Sequence, residues 1–271
     1  MTNHPMLELT TTPITPGIGA IVRNLKLSPD LGEETINAIR VALSNHLVLV
    51  FPEQNPDVSE LRDFTAHFGP VFLHHKDEGV IHSEGVPEVL EMVKEATGNR
   101  LFGGSDWHAD VTFRNPGALL SVLHAQELPP CGGDTGFANT INAYRALSPG
   151  MQALAQRLDA VHSYSGRGQP DHPTETAIHP VVKQHPITGE KGLYINRMFA
   201  TRFQGMTPEE SEPLIDFFDR HMTRPEFTCR ISWQVGQVVI WDNRFTLHYP
   251  INDFTGYRRR LLRCTAMCEP T

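Results

Sequence analysis

The sequence contains few cysteines, and their spacing does not match a zinc ribbon. The four cysteines lie at 131, 229, 264 and 268; three residues separate the last pair, and no C-x2-C pair occurs. Residues 1–16 are polar and rich in Thr and Pro, without the apolar core of a secretory signal. We therefore expect reduced thiols and a cytoplasmic protein.

Long hydrophobic runs and an excess of positive charge are also absent. The longest apolar runs, such as Leu47–Phe51 and Val238–Trp241, have the length of a strand, whereas a membrane-spanning helix needs about 20 apolar residues. Acidic residues outnumber basic residues by 31 to 23, and the formal net charge is −8. We expect neither a membrane nor a nucleic acid as partner. A small anionic substrate would instead require arginines clustered locally.

Proline and glycine are abundant, with 21 of each among the 271 residues. Hydrophobic residues make up 39% and charged residues 20%, which is an ordinary composition for a folded domain. Turn residues separate many short apolar segments, and this pattern favours a mainly β domain with helical additions over a helical bundle. We interpret residues 1–271 as a single domain built as a sandwich or jelly roll.

Apolar periodicity and end signals predict the positions of helices and strands. The predicted helices cover 32–44, 59–68, 141–157 and 208–221, with Asp57 or Ser59 capping the second and Thr207 capping the last. The predicted strands cover 18–25, 47–51, 89–93, 119–126, 136–139, 158–164, 193–196, 228–233, 237–241 and 259–267. Residues 73–106 contain several glycine-bearing turns, and we interpret them as a long excursion that can close over a site as a lid.

Three potential metal ligands lie in two separated segments. In the segment Trp107–Phe113, His108 and Asp110 stand two residues apart, so an extended backbone points both at one face. His248 follows a predicted strand that ends in the polar turn 242–244. Each feature alone is weak, because the chain has 14 histidines and a single histidine is usually structural or exposed. Together, two imidazoles and one carboxylate are the ligand set of non-haem Fe(II) oxygenases.

Four arginines occur among the six residues 258–263 of an otherwise acidic chain. On a strand, Arg259 and Arg263 share one face, and Arg258 and Arg260 share the other. A guanidinium binds carboxylates and sulfonates through two parallel hydrogen bonds, so the first pair is a candidate anion site if it faces inward. The alternative is a solvent-facing strand covered by ion pairs.

These motifs resemble the taurine dioxygenase and 2,4-dichlorophenoxyacetate dioxygenase family of Fe(II)- and 2-oxoglutarate-dependent oxygenases. The resemblance extends over nearly the whole chain. It includes Phe68-Gly69-Pro70, Trp107–Phe113, Leu128–Thr135, Lys191–Asn196, Trp241-Asp242-Asn243 with His248, and Arg259–Thr265. It implies a double-stranded β-helix fold, a form of jelly roll. Because members of this family are commonly dimers or tetramers, we also expect a homo-oligomer.

The resemblance also implies a function for each residue of the site. The three candidate metal ligands would bind Fe(II). Thr135 and Arg259 would bind the distal carboxylate of 2-oxoglutarate, the co-substrate that is consumed together with O2. Arg263 would bind the acidic group of the main substrate. Related halogenases lack the carboxylate ligand, so the presence of Asp110 implies hydroxylation.

The implied substrate is a small anionic organic compound. A sulfonate or an alkyl sulfate would release sulfite or sulfate together with an aldehyde. An aryloxyalkanoate or another carboxylate is the alternative within the same chemistry. A non-catalytic oxyanion-binding protein and a metal-dependent hydrolase are alternatives of other classes. Taurine itself is less well matched, because the substrate-binding His and Asn of taurine dioxygenase would fall near Phe72 and on Gly104.

Two further residues are candidates for the substrate pocket, Phe199 and His74. The alternatives are core packing for Phe199 and an exposed loop position for His74 or its neighbour His75. Asn243 is a candidate for orienting His248 or for fixing the turn, because a metal-bound imidazole usually has a hydrogen-bond partner on its other nitrogen.

Overall fold

The computed structural model describes residues 8–74, 80–97, 106–164 and 175–269. The strands are β1 Thr11–Pro13, β2 Ala20–Val22, β3 Val48–Phe51, β4 His82–Ser83, β5 Val86–Lys94, β6 Ala118–Glu127, β7 Thr135–Asn139, β8 Asp159–Ser163, β9 Thr176–Pro180, β10 Val182–Gln184, β11 Lys191–Leu193, β12 Ala200–Phe203, β13 Thr228–Ile231, β14 Val238–Asp242, β15 Thr246–Pro250 and β16 Arg259–Met267. The helices are α1 Glu33–His46, α2 Val58–Ala66, α3 Thr140–Arg145, α4 Pro149–Ala155 and α5 Pro208–Met222, with a 3-10 turn at Pro225–Phe227. Within these residues, no helix combines the length and the apolar character that crossing a membrane requires.

Eight strands form the large sheet, in the order β1-β2-β3-β14-β6-β16-β5-β4. Neighbouring strands are antiparallel except for the parallel pair β2 and β3. On β3, Leu49 and Phe51 pack in the apolar cluster that includes α1 and α2, whereas Val48 and Val50 pack in the cluster on the opposite face. Burial on both faces explains why this strand is apolar at every position.

A three-stranded sheet, with the order β13-β7-β15, packs against the inner face of the large sheet. Phe137 of β7 and Trp241 of β14 lie in this shared apolar cluster, with ring centroids 5.4 Å apart. Another three-stranded sheet, β12-β8-β9, contributes with α3, α4 and α5 to a separate cluster. The protein is therefore mainly β, with helices covering the outer face of the large sheet.

Polar side chains lie near the centre of the inner face of the large sheet. The register pairs Trp241 of β14 with Ser121 of β6, and Ser121 in turn with Thr265 of β16. Arg263 and Arg259 follow at alternate positions of β16, so they share a face with Thr265. The centre of the sheet thus presents a set of hydrogen-bonding groups in a mostly apolar layer.

The main helix predictions are confirmed. The helices α1, α2 and α5 lie where the apolar periodicity predicts them. Asp57, rather than Ser59, caps α2 and forms a capping box with Glu60. Thr207 caps α5, and Pro208 occupies its first position, where its missing N–H costs nothing.

The single helix predicted at 141–157 is wrong. The chain forms α3 and α4 instead, because Ser148 caps a new helix that starts with Pro149. Proline lacks the N–H that continuing α3 would require.

Some strand predictions also need correction. The strand predicted at 193–196 is shifted to Lys191–Leu193, and the strand predicted at 18–25 is limited to Ala20–Val22. Strands β1, β4, β9, β10, β12 and β15 are not predicted from the sequence. Each has between two and five residues and lacks a clear run or alternation of apolar side chains.

Part of the segment predicted as a lid belongs to the large sheet. Strands β4 and β5 pair with each other, and β5 pairs with β16. Residues 75–79 and 98–105, which include His75 and Gly104, lie outside the described residues. Closure of the segment 73–106 over a site stays a prediction.

Replacing Asp57 with Ala should lower the free energy of unfolding by about 1 kcal/mol. The Asp57 carboxylate accepts a hydrogen bond from the Glu60 N–H at 2.8 Å, and alanine leaves this N–H at the helix start without its partner. Asp57→Asn keeps the acceptor and is the matched control. Urea denaturation of both variants measures the effect, and equal stability of the two would contradict the capping role.

Candidate metal centre

Two backbone hydrogen bonds join the two histidines of the candidate site. His108 N–H donates to the His248 carbonyl at 3.0 Å, and His248 N–H donates to the His108 carbonyl at 2.7 Å. His248 lies on β15, where it pairs with Phe137 of β7. The two imidazole rings are consequently adjacent, with centroids 4.1 Å apart.

Asp110 completes the group on the same side. Its Oδ1 lies 4.0 Å from His108 Nε2 and 3.9 Å from His248 Nε2. All three side chains are buried, and one donor atom from each lies within 4.8 Å of the others. His108 and Asp110, which were predicted to face one point, lie together with His248, although Asp110 belongs to the turn that follows the bridge at His108.

The tautomer of His108 fits a metal ligand. Its Nδ1 lies 2.9 Å from the carbonyl oxygen of Asp106. Because a carbonyl only accepts hydrogen bonds, Nδ1 carries the proton and Nε2 keeps its lone pair on the side of Asp110. This outer hydrogen bond is the usual support of a metal-binding imidazole. Two imidazoles and one carboxylate of this kind can hold Fe(II).

Burial keeps the two imidazoles neutral. Loss of solvation lowers the pKa of His248 to about 3 and also lowers the pKa of His108. Burial alone would raise the pKa of Asp110, but the Arg263 guanidinium and the two imidazoles hold it well below its ordinary value. At neutral pH the site therefore presents two lone pairs and one negative charge, the protonation state that a divalent metal requires.

Arg263 lies beside the candidate ligands. Its Nη1 donates to Asp110 Oδ1 at 2.9 Å, and its Nη2 lies 3.2 Å from His74 Nε2. His74 is only 8% exposed and packs edge-on against Phe72. The exposed loop position that was the alternative for His74 is therefore wrong. Of the three residues predicted for substrate binding, Arg263 contacts the Asp110 carboxylate directly and His74 contacts Arg263.

Thr135 and Arg259 both contact a third residue, Trp233, which was not predicted from the sequence. Trp233 Nε1 donates to Thr135 Oγ1 at 3.0 Å, and the Arg259 guanidinium carbon lies 5.8 Å from the centre of the Trp233 ring. Arg259 is 1% exposed, and this burial lowers its pKa to about 10. A buried cation and a buried hydroxyl are thus both in contact with Trp233. The side chain of Arg259 also passes Gly133, where a Cβ would lie 3.2 Å from its Cδ atom.

The other two arginines of β16 face outward. Arg258 forms ion pairs with Glu95 and Glu127, and Arg260 pairs with Glu91 at 2.9 Å. The alternative of a solvent-facing surface covered by ion pairs is therefore correct for Arg258 and Arg260 only. The inward face carries Arg259, which is buried, and Arg263, which contacts Asp110.

Phe199 is half-buried beside the metal-ligand candidates. Its ring centroid lies 6.3 Å from that of His108 and 5.2 Å from that of Phe113, which in turn lies 4.8 Å from that of Tyr164. A groove of about 530 Å³ is lined by Phe72 and Phe113, together with eight other residues, none of them a candidate ligand. These aromatic side chains give the site one apolar wall.

Asn243 acts on a different ligand from the one expected. Its side chain contacts the backbone of Asp110, Trp241 Nε1 and Ser121 Oγ. The prediction that it orients His248 is therefore wrong. Ser121, which also contacts Asp110, was not predicted, because its position opposite the site follows only from the strand register.

A buried group of two imidazoles and one carboxylate in a mainly β protein is the ligand set of mononuclear non-haem iron oxygenases. Residues 10–265 match the family described as taurine catabolism dioxygenase TauD, TfdA family, and the chain belongs to this family.

Relatives that align over nearly the full length of this chain support the family assignment. The chain is 36% identical over 275 residues to an alpha-ketoglutarate-dependent sulfate ester dioxygenase of Pseudomonas putida, covering 95% of this chain and 88% of that protein. It is 34% identical over 286 residues to an alkylsulfatase of Acinetobacter baylyi, with coverages of 99% and 88%. A crystal structure of a taurine dioxygenase from Burkholderia xenovorans has a TM-score of 0.84 and 34% identity, covering 97% of this chain and 90% of that one. The protein is a 2-oxoglutarate-dependent dioxygenase that uses Fe(II), 2-oxoglutarate and O2.

The metal-free protein should lose stability as the pH falls from about 6.5 to 4. Burial lowers the pKa of His162 to about 3, of His179 to about 4 and of His248 to about 3, whereas the unfolded chain titrates near the ordinary value. The unfolded state therefore binds more protons over this range, and acid favours unfolding. Urea denaturation at several pH values measures this slope.

Two variants separate the contributions to this slope. His179→Gln should make it shallower. Asp219→Asn should make it steeper, because burial raises the pKa of Asp219 to about 6, and its folded-state protonation adds stability as the pH falls below that value. Stability that stays constant or rises towards pH 4 in the wild type would contradict the burial of neutral histidines.

Proposed function

We propose that the enzyme hydroxylates a small organic anion carrying a sulfate ester or sulfonate, and releases sulfate or sulfite with an aldehyde. The observation that carries the proposal is the position of Arg263. Its guanidinium lies on the inner face of β16, 2.9 Å from the Asp110 carboxylate, and supplies positive charge for an anion beside the metal centre. The names of both curated relatives, a sulfate ester dioxygenase and an alkylsulfatase, favour sulfate over sulfonate.

The candidate ligands His108, Asp110 and His248 would hold Fe(II), which when bound supplies the activation of O2 at the expense of 2-oxoglutarate. The contribution of the protein is to position the metal ligands and to supply the charges around them. The paired backbones of the two histidines fix the direction of both imidazoles. Three protein ligands leave coordination positions for the other reactants.

Thr135 and Arg259 would bind the distal carboxylate of 2-oxoglutarate. Arg259 is held against Trp233 and Phe254, with its guanidinium carbon 5.8 and 5.7 Å from their ring centres. This aromatic surrounding excludes water, which strengthens an ion pair with an incoming carboxylate. The Thr135 hydroxyl, which already accepts a hydrogen bond from Trp233, has its own proton to donate.

Arg263 and His74 would hold the acidic group of the main substrate, and Phe199 would line the space for its carbon chain. Hydroxylation of the carbon bonded to a sulfate oxygen gives an unstable product. Its carbon–oxygen bond to sulfate breaks, the hydroxyl loses its proton, and an aldehyde and sulfate remain. A sulfonate would release sulfite by cleavage of the carbon–sulfur bond.

Further properties of the protein belong to the same proposal. The packing of the β13-β7-β15 sheet against the large sheet supports a double-stranded β-helix, within one domain of residues 1–271. Four free cysteines, one of them exposed, fit a reducing cytoplasm. We also propose a homo-oligomer, on the basis of the family resemblance.

Anaerobic addition of Fe(II) and then 2-oxoglutarate should produce the weak visible charge-transfer band of the chelate. Alkyl sulfates, alkylsulfonates and aryloxyalkanoates are then tested with O2, and the release of sulfate, sulfite or a phenol is measured. We expect sulfate release from an alkyl sulfate, and no turnover by folded Asp110→Ala. Turnover of aryloxyalkanoates alone would select the alternative substrate class. An iron-loaded protein without the band would support a binding protein or a hydrolase.

Arg259→Ala should mainly raise the KM for 2-oxoglutarate, and Arg263→Ala should mainly raise the KM for the sulfate ester. Loss of one charge-assisted pair, at about 1.5–3 kcal/mol, corresponds to roughly a 10- to 100-fold change. Arg258→Ala and Arg260→Ala are matched controls on the outer face of the same strand and should change neither constant appreciably. Steady-state kinetics with each substrate varied decides the assignment, and exchanged effects would show that the two arginines have been assigned to the wrong ligands.

A further inference from the structure

The side-chain amide of Asn243 has a defined orientation. Its Oδ1 lies 2.9 Å from Trp241 Nε1 and 3.2 Å from the backbone nitrogen of Asp110. Both partners are N–H donors, so this atom is the carbonyl oxygen and the other terminal atom is the NH2 group. The NH2 group donates to Ser121 Oγ at 2.8 Å. Asn243 is buried, so water does not compete for these bonds.

The orientation of the amide determines where the Ser121 proton goes. Ser121 Oγ accepts from Asn243, lies 3.1 Å from Thr265 Oγ1, and lies 2.8 Å from Asp110 Oδ2. An ionised carboxylate only accepts hydrogen bonds, so the single Ser121 proton is donated to Asp110 Oδ2. The hydroxyl of Thr265 is then the donor to Ser121.

The two oxygens of Asp110 therefore have different surroundings. Oδ2 receives the Ser121 proton, whereas Oδ1 accepts a hydrogen bond from Arg263 Nη1 at 2.9 Å and lies 4.0 and 3.9 Å from the Nε2 atoms of His108 and His248. Oδ1 has a second lone pair, so its bond to Arg263 leaves it able to bind a metal. We propose that Asn243 and Ser121 are positioning residues that make Asp110 a one-oxygen metal ligand. With Oδ2 engaged, the carboxylate does not rotate to offer both oxygens, and a coordination position stays open for 2-oxoglutarate. The inference rests on the metal site of the proposed function.

Backbone strain next to Asp110 makes this support necessary. Val111 has a φ of 55°, in the left-handed region that is costly for a β-branched residue. Asn243 holds the Asp110 N–H on one side of this position. On the other side, Thr112 Oγ1 lies 2.9 Å from His162 Nδ1 and accepts from an asparagine amide, Asn196 Nδ2, at 3.2 Å. Polar contacts on both sides thus hold a turn in which Val111 adopts an unfavourable φ. The direction of the Asp110 side chain depends on these contacts.

Ser121→Ala and Asn243→Asp test the proposal. The first removes the donor to Oδ2. In the second, a carboxylate replaces the NH2 group, so Ser121 donates to position 243 instead of to Asp110. In crystal structures of the Mn(II)-loaded proteins, we expect Asp110 to bind through Oδ1 alone in the wild type and through both oxygens in the variants. Affinity for 2-oxoglutarate, measured by calorimetry on the Mn(II)-saturated proteins without O2, should fall roughly 10- to 100-fold in the variants, the range typical for loss of an outer hydrogen bond at a metal site.

Ser211→Ala and Asn139→Asp are matched controls, because both residues are buried and hydrogen-bonded. Ser211 bonds within the region of Thr207 and Phe203, and Asn139 caps α3 and contacts Gly17. Both controls should keep wild-type affinity for Mn(II) and 2-oxoglutarate. Because these readouts need no turnover, they also separate the inference from the substrate assignment.

Three results would overturn the inference. The first is two-oxygen binding of Asp110 in the wild type, and the second is unchanged geometry and 2-oxoglutarate affinity in either folded variant. The third is a wild type that binds no Mn(II) at the three ligands, which would overturn the proposed function as well. If the Mn(II) structures agree with the expectation while the protein fails to turn over alkyl sulfates, this result would support the inference and would contradict only the proposed substrate.

Discussion

The pair of backbone hydrogen bonds between His108 and His248 is the constraint on which the site depends. It joins two segments that are far apart in the sequence and brings the two imidazole rings to a centroid distance of 4.1 Å. Strand β15 continues this pairing to β7, whose first residue is Thr135. The metal ligands and the pocket around Thr135 therefore share one ladder of strands, and the distance between them is set by backbone geometry rather than by flexible side chains.

Burial determines the charge of the site in two different ways. It lowers the pKa of both imidazoles, so they are neutral at neutral pH and have a lone pair available for a metal. It also surrounds Arg259 with the rings of Trp233 and Phe254, yet the guanidinium keeps its charge, because a pKa of about 10 lies well above neutrality. Favourable contact between a cation and aromatic faces offsets part of the cost of this burial. The same apolar layer thus keeps the two candidate metal-binding imidazoles neutral and leaves Arg259 charged beside Trp233.

Local patterns in the sequence predict which residues lie on the same side of an extended segment. His108 with Asp110, and Arg259 with Arg263, are two such pairs. The family resemblance adds the more distant His248 and Thr135. Residues whose function depends on which strands become neighbours could not be predicted in this way. Ser121 and Trp233 have no local signal, and the partner of Asn243 is known only when β6, β14 and the Asp110 segment are assembled.

Short-range competition explains the remaining errors. A continuous helix was predicted from periodicity across residues 141–157, but the Ser148-Pro149 pair starts a new helix at the same place. The strands that were not predicted depend on pairing with their neighbours, and their own sequences of two to five residues contain too little apolar alternation to reveal them. In this protein, tertiary context decides the short elements, and local preference decides the long ones.

The outward ion pairs of β16 have a consequence for how the family can diverge. Arg258 pairs with Glu95 and Glu127, and Arg260 pairs with Glu91. These outer ion pairs form in the same strand register that places Arg259 and Arg263 on the inner face. Insertion or deletion of one residue between Arg259 and Arg263 would put these two side chains on opposite faces and move one of them to the surface. Changes of length should therefore accumulate in the connections around this strand, while the strand itself varies by substitution alone.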